Sequence, residues 1–254
     1  MGQRLIALAS ADPELEIAAA LENGAHPKMR SDAGVVSGIG ELGVPLTASL
    51  ETQVDVVIDF SLPEATAAIV RTCNQQQTPL VVATTGLNQD DEEGLRAAAQ
   101  RMPIVWAPNM SLAVNLVMKL AETAAEALKD HPGGADVEII ERHHRFKEDA
   151  PSGTALAFGR KIAAIMGQTQ HSHGRDGRPG QRPHEEIGYH ALRVGDDPGQ
   201  HTIVFGLPGE TIELRVAASS RDCYAHGALV AAKFVVGKPP GLYSMYDVLG
   251  LKSH

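Results

Sequence analysis

The chain has 254 residues, 43% of them hydrophobic, which is enough for one large α/β unit or two modest cores and too much for a mainly disordered protein. A net charge of -9 excludes the broad basic face that nucleic acid needs, although a local cluster of His, Lys and Arg can still seat a small anion. No run of about eighteen apolar residues occurs, and the opening MGQRLIALASADPELE lacks a basic start, a long apolar stretch and a cleavage site. No membrane partner is therefore expected, and the reading is a cytoplasmic protein.

In chain order, Val54 to Phe60 is a mostly apolar run with Asp59 near its end, the pattern of a buried parallel strand. Pro63 opens a helix that runs to about Gln75, and Leu80 to Ala83 is the next strand, followed by Thr84, Thr85 and Gly86. Asp90 to Arg101 reads as a helix and Ile104 to Ala107 as another strand. Strands alternating with helices predict βαβ units and a parallel sheet, whose ligands bind at the carboxyl ends of the strands. Cys73 and Cys223 lie far apart, neither beside a local histidine partner, and are read as reduced thiols rather than a disulfide or a nucleophile.

After Ser111, a candidate N-cap, LAVNLVMKLAETAAEAL is helical by composition and spacing. The pattern then changes. Val137 to Arg142 is strand-like, Ser152 caps a helix to about Met166, and Ile187 to Val194, His201 to Gly206 and Thr211 to Ala218 are strands with no helix between them. Direct connections imply an antiparallel or mixed sheet, which places a second domain from about Ser111 to Arg221. Ala225 to Val236 is again helical and is expected to return to the first domain. The segment Gly167 to Glu186 carries His171, His173, Arg175, Arg178, Arg182 and His184 among glycines. With no ligand spacing for a metal, it is read as a mobile, solvated loop.

Glu141 to Ala155, ERHHRFKEDAPSGTA, concentrates the chemistry. Ser152, Gly153 and Thr154 open a helix, where backbone N–H groups, hydroxyls and the positive end of the helix dipole suit a carboxylate. His143, His144 and Lys147 add donors that could hold a second carboxylate or deliver a proton during a reduction. The plainer alternative is a strand end with satisfied histidines, a solvated Lys147 and a purely structural cap at Ser152. Clustering of all these residues within one short segment favours the functional reading. A metal bound by His143, His144 and Asp149 lacks an evident fourth ligand, so no metal is expected.

The run EIIERHHRFKEDAPSGTA closely resembles the signature of the 4-hydroxy-tetrahydrodipicolinate reductases, also called dihydrodipicolinate reductases. VIDFSLPE at 57–64, ATTG at 83–86, APNMSLAVN at 107–115, IGYHALRVGDDPGQHTIVF at 187–205 and ASSRDCYAHGA at 218–228 look like further blocks of that family, in its order. The resemblance implies an α/β protein with a Rossmann-like parallel-sheet, dinucleotide-binding domain at 1–110 and 222–254. An α+β domain with a mixed sheet, at 111–221, would bind substrate and form a homotetramer. It also implies NADH- or NADPH-dependent reduction of a cyclic dicarboxylate, 4-hydroxy-tetrahydrodipicolinate, to tetrahydrodipicolinate in lysine and diaminopimelate biosynthesis. Carried over by motif, His143 is the catalytic donor or acceptor, Lys147 the proton donor, and His144, Gly153 and Thr154 the substrate contacts. Ala83, Thr84 and Thr85, with Ala107, Pro108, Asn109 and Met110, would line the cofactor.

One part of the family pattern is missing. Its first strand and GxxGxxG turn would precede MGQRLIALA, which matches the tail of that motif and its first helix, so Met1 and Gly2 stand as remnants of the phosphate loop. The Rossmann sheet is thus expected without its first, central strand, leaving backbone groups unpaired and the pyrophosphate without its N–H cradle. A start assigned too far downstream, a shortened chain and a real loss of cofactor binding all remain as readings. Glu22, after the strand-like ELEIAAALE, stands where the family holds the adenosine ribose, and a carboxylate there favours NADH. Lys28 or Arg30 could instead reach a 2′-phosphate, and Glu22 could be an ordinary strand-end carboxylate. Two further functions stay open: another nicotinamide-linked imine or amino-acid dehydrogenase, and a dicarboxylate-binding protein without cofactor.

Overall fold

Local capping chemistry and the period of the apolar residues set most element boundaries in the computed structural model, which describes residues 1–251; residues 252–254, at the end of the segment assigned to the first domain, lie outside the described residues. In chain order the first elements are α1 (Gly2–Ala9), β1 (Ala20–Leu21), α2 (Ala33–Ser37), β2 (Leu46–Thr47), β3 (Val57–Asp59), α3 (Pro63–Gln76), β4 (Leu80–Val82), α4 (Gln89–Ala99) and β5 (Pro103–Trp106). Pro63 occupies the first turn of α3, where its missing N–H costs nothing, and Asn88 with Asp91 forms a reciprocal capping box that starts α4. There follow α5 (Leu112–Leu128), β6 (Asp136–His143), α6 (Gly153–Met166), β7 (Gln170–His173), β8 (Glu186–Arg193), β9 (Gln200–Leu207) and β10 (Glu210–Ala217). The chain closes with α7 (Asp222–Val235), β11 (Gly241–Tyr243) and α8 (Met245–Val248). Two units result, Met1–Leu112 with the chain from Asp222, and Ala113–Arg221.

In the first unit the strand order is β11-β5-β4-β3, all parallel, and a separate parallel pair is formed by β1 and β2. The four-stranded sheet is covered on both faces, as parallel sheets require. Val81, Val105, Ala83 and Ala107 pack with Ala225, Ala228 and Val235 of α7, while Leu80, Val82 and Ile104 pack with Val70, Leu95 and Ala98 of α3 and α4. The expected run Val54 to Phe60 is cut to three ladder residues. ELEIAAALE keeps only Ala20 and Leu21 as strand, with Leu15 and Ile17 serving instead as packing against the core.

Gly227 of α7 lets the helix touch the loop after β5: a Cβ there would lie 1.7 Å from the carbonyl oxygen of Met110. Backbone cannot swing aside as a side chain can. Gly227→Ala is therefore expected to cost about 1–3 kcal/mol through overpacking, read as a lower denaturant midpoint at unchanged slope. An unaltered midpoint would contradict this close approach.

In the second unit the mixed sheet runs β10-β9-β6-β8-β7, with β6 central, parallel to β8 and antiparallel to β9. Alternation along β6 buries Val137, Ile139, Glu141 and His143, and leaves Asp136, Glu138, Ile140 and Arg142 on the other face. Helix α6 lies close to β8 because Gly159 leaves room for Tyr189, whose hydroxyl would otherwise be 1.7 Å from a Cβ. The expected architecture of a parallel-sheet domain plus a mixed-sheet domain is the one found.

The reading of Gly167 to Glu186 as a mobile, solvated loop needs correction in part: residues 173–181 are exposed, but part of the segment is strand and two of its arginines are ion-paired. Gln170–His173 pairs with the edge of β8 as β7, His171 Nδ1 meets the Tyr189 hydroxyl at 2.8 Å, and Arg175 and Arg182 are ion-paired to Glu138, with Arg175 also on Glu186 and Arg182 on Asp136. These partners lie on β6 and β8, so the segment is held by carboxylates distant in sequence rather than by an apolar pattern of its own. Among the described residues, no helix is long and apolar enough to cross a membrane, and no group of three or more His, Cys, Asp or Glu is arranged to hold a metal ion. Both cysteines are free thiols, and burial pushes Cys73 up to about 12.

Candidate functional site

The two-residue period of β6 carries its buried face to the strand end, where apolar Val137 and Ile139 give way to Glu141 and His143. A carboxylate on the core side of a sheet must be fully paired. Glu141, whose side chain is 0% exposed, meets His143 Nδ1 at 2.5 Å, accepts both arms of the Arg193 guanidinium at 2.8 and 2.9 Å, and accepts the Ser152 N–H at 3.1 Å. Burial by itself would push its carboxyl up, but these hydrogen bonds together outweigh that and hold it at about 2. Parallel register places Arg193 beside His143, since the two end β8 and β6 as direct partners.

The turn from β6 to α6 brings the other candidates to the same place. Ser152 caps α6, its hydroxyl accepting from the Ala155 N–H at 3.2 Å, so Gly153 and Thr154 form the first turn at the positive end of the helix. The same hydroxyl is 3.0 Å from His201 Nε2 on β9, and the His201 ring stands edge-on to His143 with centroids 5.3 Å apart. Burial, reinforced by the charge of His143, lowers His201 to about 4, and the charges of Glu141 and Lys147 also reach it. His201 is thus a neutral imidazole at neutral pH, and four titratable groups converge on one small volume.

Lys147 is not solvated. Its side chain is 21% exposed and its ammonium pairs with Asp149 at 2.6 Å, a contact that holds the Asp149 carboxyl below its usual range. Its carbonyl accepts from Arg193 Nε at 3.3 Å, and that of Asp149 from Arg193 Nη2 at 2.6 Å. His144 turns away from Glu141: its Nε2 lies 3.4 Å from Arg221 Nη2, and its buried Nδ1 has no hydrogen-bond partner among the described residues. A buried ring nitrogen without a partner is a poor structural element and a good ligand contact. The plainer reading had Lys147 solvated and both histidines satisfied; instead Lys147 is paired with Asp149 and His144 keeps an unpartnered Nδ1.

Glu141, Arg193, His201 and Arg221 were not singled out by sequence reasoning. Glu141 lay inside the 141–155 segment as a strand residue, and the other three sat in IGYHALRVGDDPGQHTIVF and ASSRDCYAHGA with no local signal beyond their blocks. Sheet pairing brings Arg193 and His201 to Glu141 and His143, whereas Arg221, outside the strands, meets His144.

In the first unit, the candidate cofactor residues follow two neighbouring strands. The ladder continues past the strand ends, with Ala83 N donating to Asp59 O at 2.8 Å and Ala107 N to Val82 O at 3.1 Å, so 83–85 and 107–110 emerge side by side. Ala83, Thr84, Ala107 and Met110 are buried, and Thr85 and Pro108 are exposed. Asn109 Oδ1 accepts the Ser111 N–H at 2.9 Å and shapes the second loop. The buried Thr84 hydroxyl has no hydrogen-bond partner among the described residues, an orphaned polar atom at the carboxyl end of a parallel strand. Met1 is the N-cap residue of α1 and makes no side-chain capping bond, and exposed Glu22 accepts the N–H of Asn23 at 2.8 Å with one of its oxygens.

Comparison with known proteins adds an independent line. Residues 1–110 match the family model described as the N-terminus of dihydrodipicolinate reductase, and residues 113–249 match that of its C-terminus. The 4-hydroxy-tetrahydrodipicolinate reductase of Rhodopirellula baltica is 54% identical over 100% of this chain and 94% of its own length, and that of Alkalilimnicola ehrlichii is 45% identical over 99% and 95%. In fold, the dipicolinate-bound dihydrodipicolinate reductase of a Paenisporosarcina species superposes with a TM-score of 0.78 at 23% identity, covering 97% of this chain and 94% of that one. An amine dehydrogenase from Mycobacterium smegmatis shares the fold more loosely, with a TM-score of 0.55 at 13% identity and coverage of 96% and 92%. With both halves of the family present in order and a relative more than half identical along its whole length, this chain belongs to the dihydrodipicolinate reductase family.

Proposed function

We propose that the chain catalyses the NAD(P)H-dependent reduction of 4-hydroxy-tetrahydrodipicolinate to tetrahydrodipicolinate, a step of lysine and diaminopimelate biosynthesis. The observation that carries this reading is the buried Glu141 carboxylate, which ties the His143 ring, the turn bearing Lys147 and the first turn of α6 into one rigid group. A twin-acid ring needs two cationic or N–H-rich seats. The first turn of α6, with Gly153 and Thr154, is one; His144 with Arg221 at its edge is the other.

The overall change replaces a ring hydroxyl by hydrogen, so a hydride is added, one proton joins the departing oxygen and water leaves. The nicotinamide supplies the hydride when bound. Lys147 stands as the proton donor: its ammonium, held ready on Asp149, exchanges that partner for the substrate. His143 acts as donor or acceptor through Nε2, because Nδ1 is committed to Glu141. The residues present fit a nicotinamide cofactor, since the Thr84 hydroxyl offers an unused buried hydrogen bond beside the loop of Ala107, Pro108, Asn109 and Met110. Glu22, with one carboxylate oxygen left over after Asn23, supports a preference for NADH.

Assembly into a homotetramer is part of the same reading, through the mixed-sheet face opposite α6, where Ile140 and Leu192 are 39% and 46% exposed. So is a cytoplasmic location, where the nicotinamide pool is. Calorimetry on the full chain tests the core of it: pyridine-2,6-dicarboxylate and NADH are both expected to bind, with turnover of 4-hydroxy-tetrahydrodipicolinate and a higher kcat/KM for NADH than for NADPH. Dicarboxylate binding without NADH binding would instead favour a binding protein, and turnover only of other imino acids a different dehydrogenase.

A further inference from the structure

We infer that Glu141 is a positioning residue that fixes His143 as the Nδ1–H tautomer and so turns a bare Nε2 lone pair toward the reacting ring, an inference that rests on His143 being the proton-transfer residue. Four donors surround this one carboxylate: the His143 ring, both arms of Arg193 and the Ser152 N–H. An ionised carboxylate has no hydrogen to give, so the ring nitrogen 2.5 Å from Oε2 must carry the proton of that bond. In a neutral ring Nε2 is then the acceptor. Its surroundings are built to leave it clear, because a Cβ on Gly199 would come within 2.9 Å of Nε2 and 3.1 Å of the adjacent ring carbon. His201, edge-on to the same ring, blocks rotation from another side.

The remaining bonds of the hub decide how the role can be separated from simple stability. Glu141 Oε1 receives Arg193 Nη2 and Ser152 N, whereas Oε2 faces His143 and Arg193 Nη1. In Glu141→Gln the amide oxygen takes the first place, where two donors already point. Its NH2 then faces the ring and Arg193 Nη1, which loses that acceptor but keeps the Leu192 carbonyl, and Nδ1 must accept. The tautomer inverts while the Ser152 contact, and with it the first turn of α6, is kept.

The test is long-range 15N–1H correlation of the histidine rings in the full chain at a pH where the His143 ring is neutral, with His143→Asn to assign its signals. The wild type is expected to show the Nδ1–H form and Glu141→Gln the Nε2–H form, with kcat at least tenfold lower, about 1.4 kcal/mol, and the Kd of pyridine-2,6-dicarboxylate within about threefold of wild type. An Nε2–H ring in the wild type overturns the inference, and this measurement does not depend on the variant folding. Unchanged kcat in Glu141→Gln overturns it as well, as does a loss of kcat accompanied by an equal loss of dicarboxylate binding, which is what a merely structural ion pair would produce. A wild type that does not turn over the proposed substrate would remove the reductase reading and leave the ring measurement in force.

Discussion

His143→Gln and Lys147→Ala are each expected to lower turnover by about a hundredfold or more, the range associated with losing a positioned proton donor or acceptor. On the proposed roles the two serve one transition state, so the double variant should lose far less than the product of the single losses. Binding separates their roles. Lys147 already has Asp149 as its counter-ion, so removing the ammonium should leave pyridine-2,6-dicarboxylate affinity nearly intact while kcat falls. Stopped-flow single turnovers of bound substrate would report the chemical step free of product release. Wild-type turnover in both variants would sink the assignment of proton transfer to this segment.

Acid stability is the second large effect, and His201 is its source. The unfolded chain takes a proton on this ring near 6.5, while the folded protein, with the residue 5% exposed and its ring pushed down by burial, does so only at about 4. Between those values the unfolded state binds more protons, so stability rises with pH there. It is complete above about 6.5 and falls as the pH drops to about 4, by on the order of 3 kcal/mol. Glu141 has the same sign at lower pH, since its folded value of about 2 lies under its ordinary 4.5, so that its contribution is present above 4.5 and is lost as pH falls through 2. Replacing His201 with Gln, which can still bond Ser152, should flatten the loss between 6.5 and 4 and leave the lower leg. Urea midpoints of both proteins across that range check this, and parallel curves would refute it.

Much of the architecture was legible because it is local. Leu112–Leu128 has the boundaries expected from its composition, Ser152 caps α6 as its hydroxyl and position suggest, and the change from alternating helices and strands to consecutive strands marked the passage from a parallel to a mixed sheet. The short strands β2 and β11 escaped because a two- or three-residue strand carries no period to detect, and β1 survived only as the end of the longer strand-like ELEIAAALE. Segment Gln170–His173 escaped because its polar, mostly exposed side chains carry no strand pattern, and the loop after it is held by Arg175 and Arg182 on carboxylates of β6 and β8.

By itself the sequence determined the apolar periods, the caps and the cluster of His143, His144, Lys147 and Ser152 within one turn, since each depends on neighbours a few residues away. What it left undecided is which groups surround the Glu141 and His143 pair, and that was settled by pairing β6 with β8 and β9. Arg193 and His201 stand some fifty positions along the chain from Glu141 and Ser152, and a charge buried so far from its partners in sequence finds them only when the sheet closes. In a low-dielectric interior an unpaired carboxylate is too costly to persist, so tertiary pairing had to decide the chemistry of the strand end.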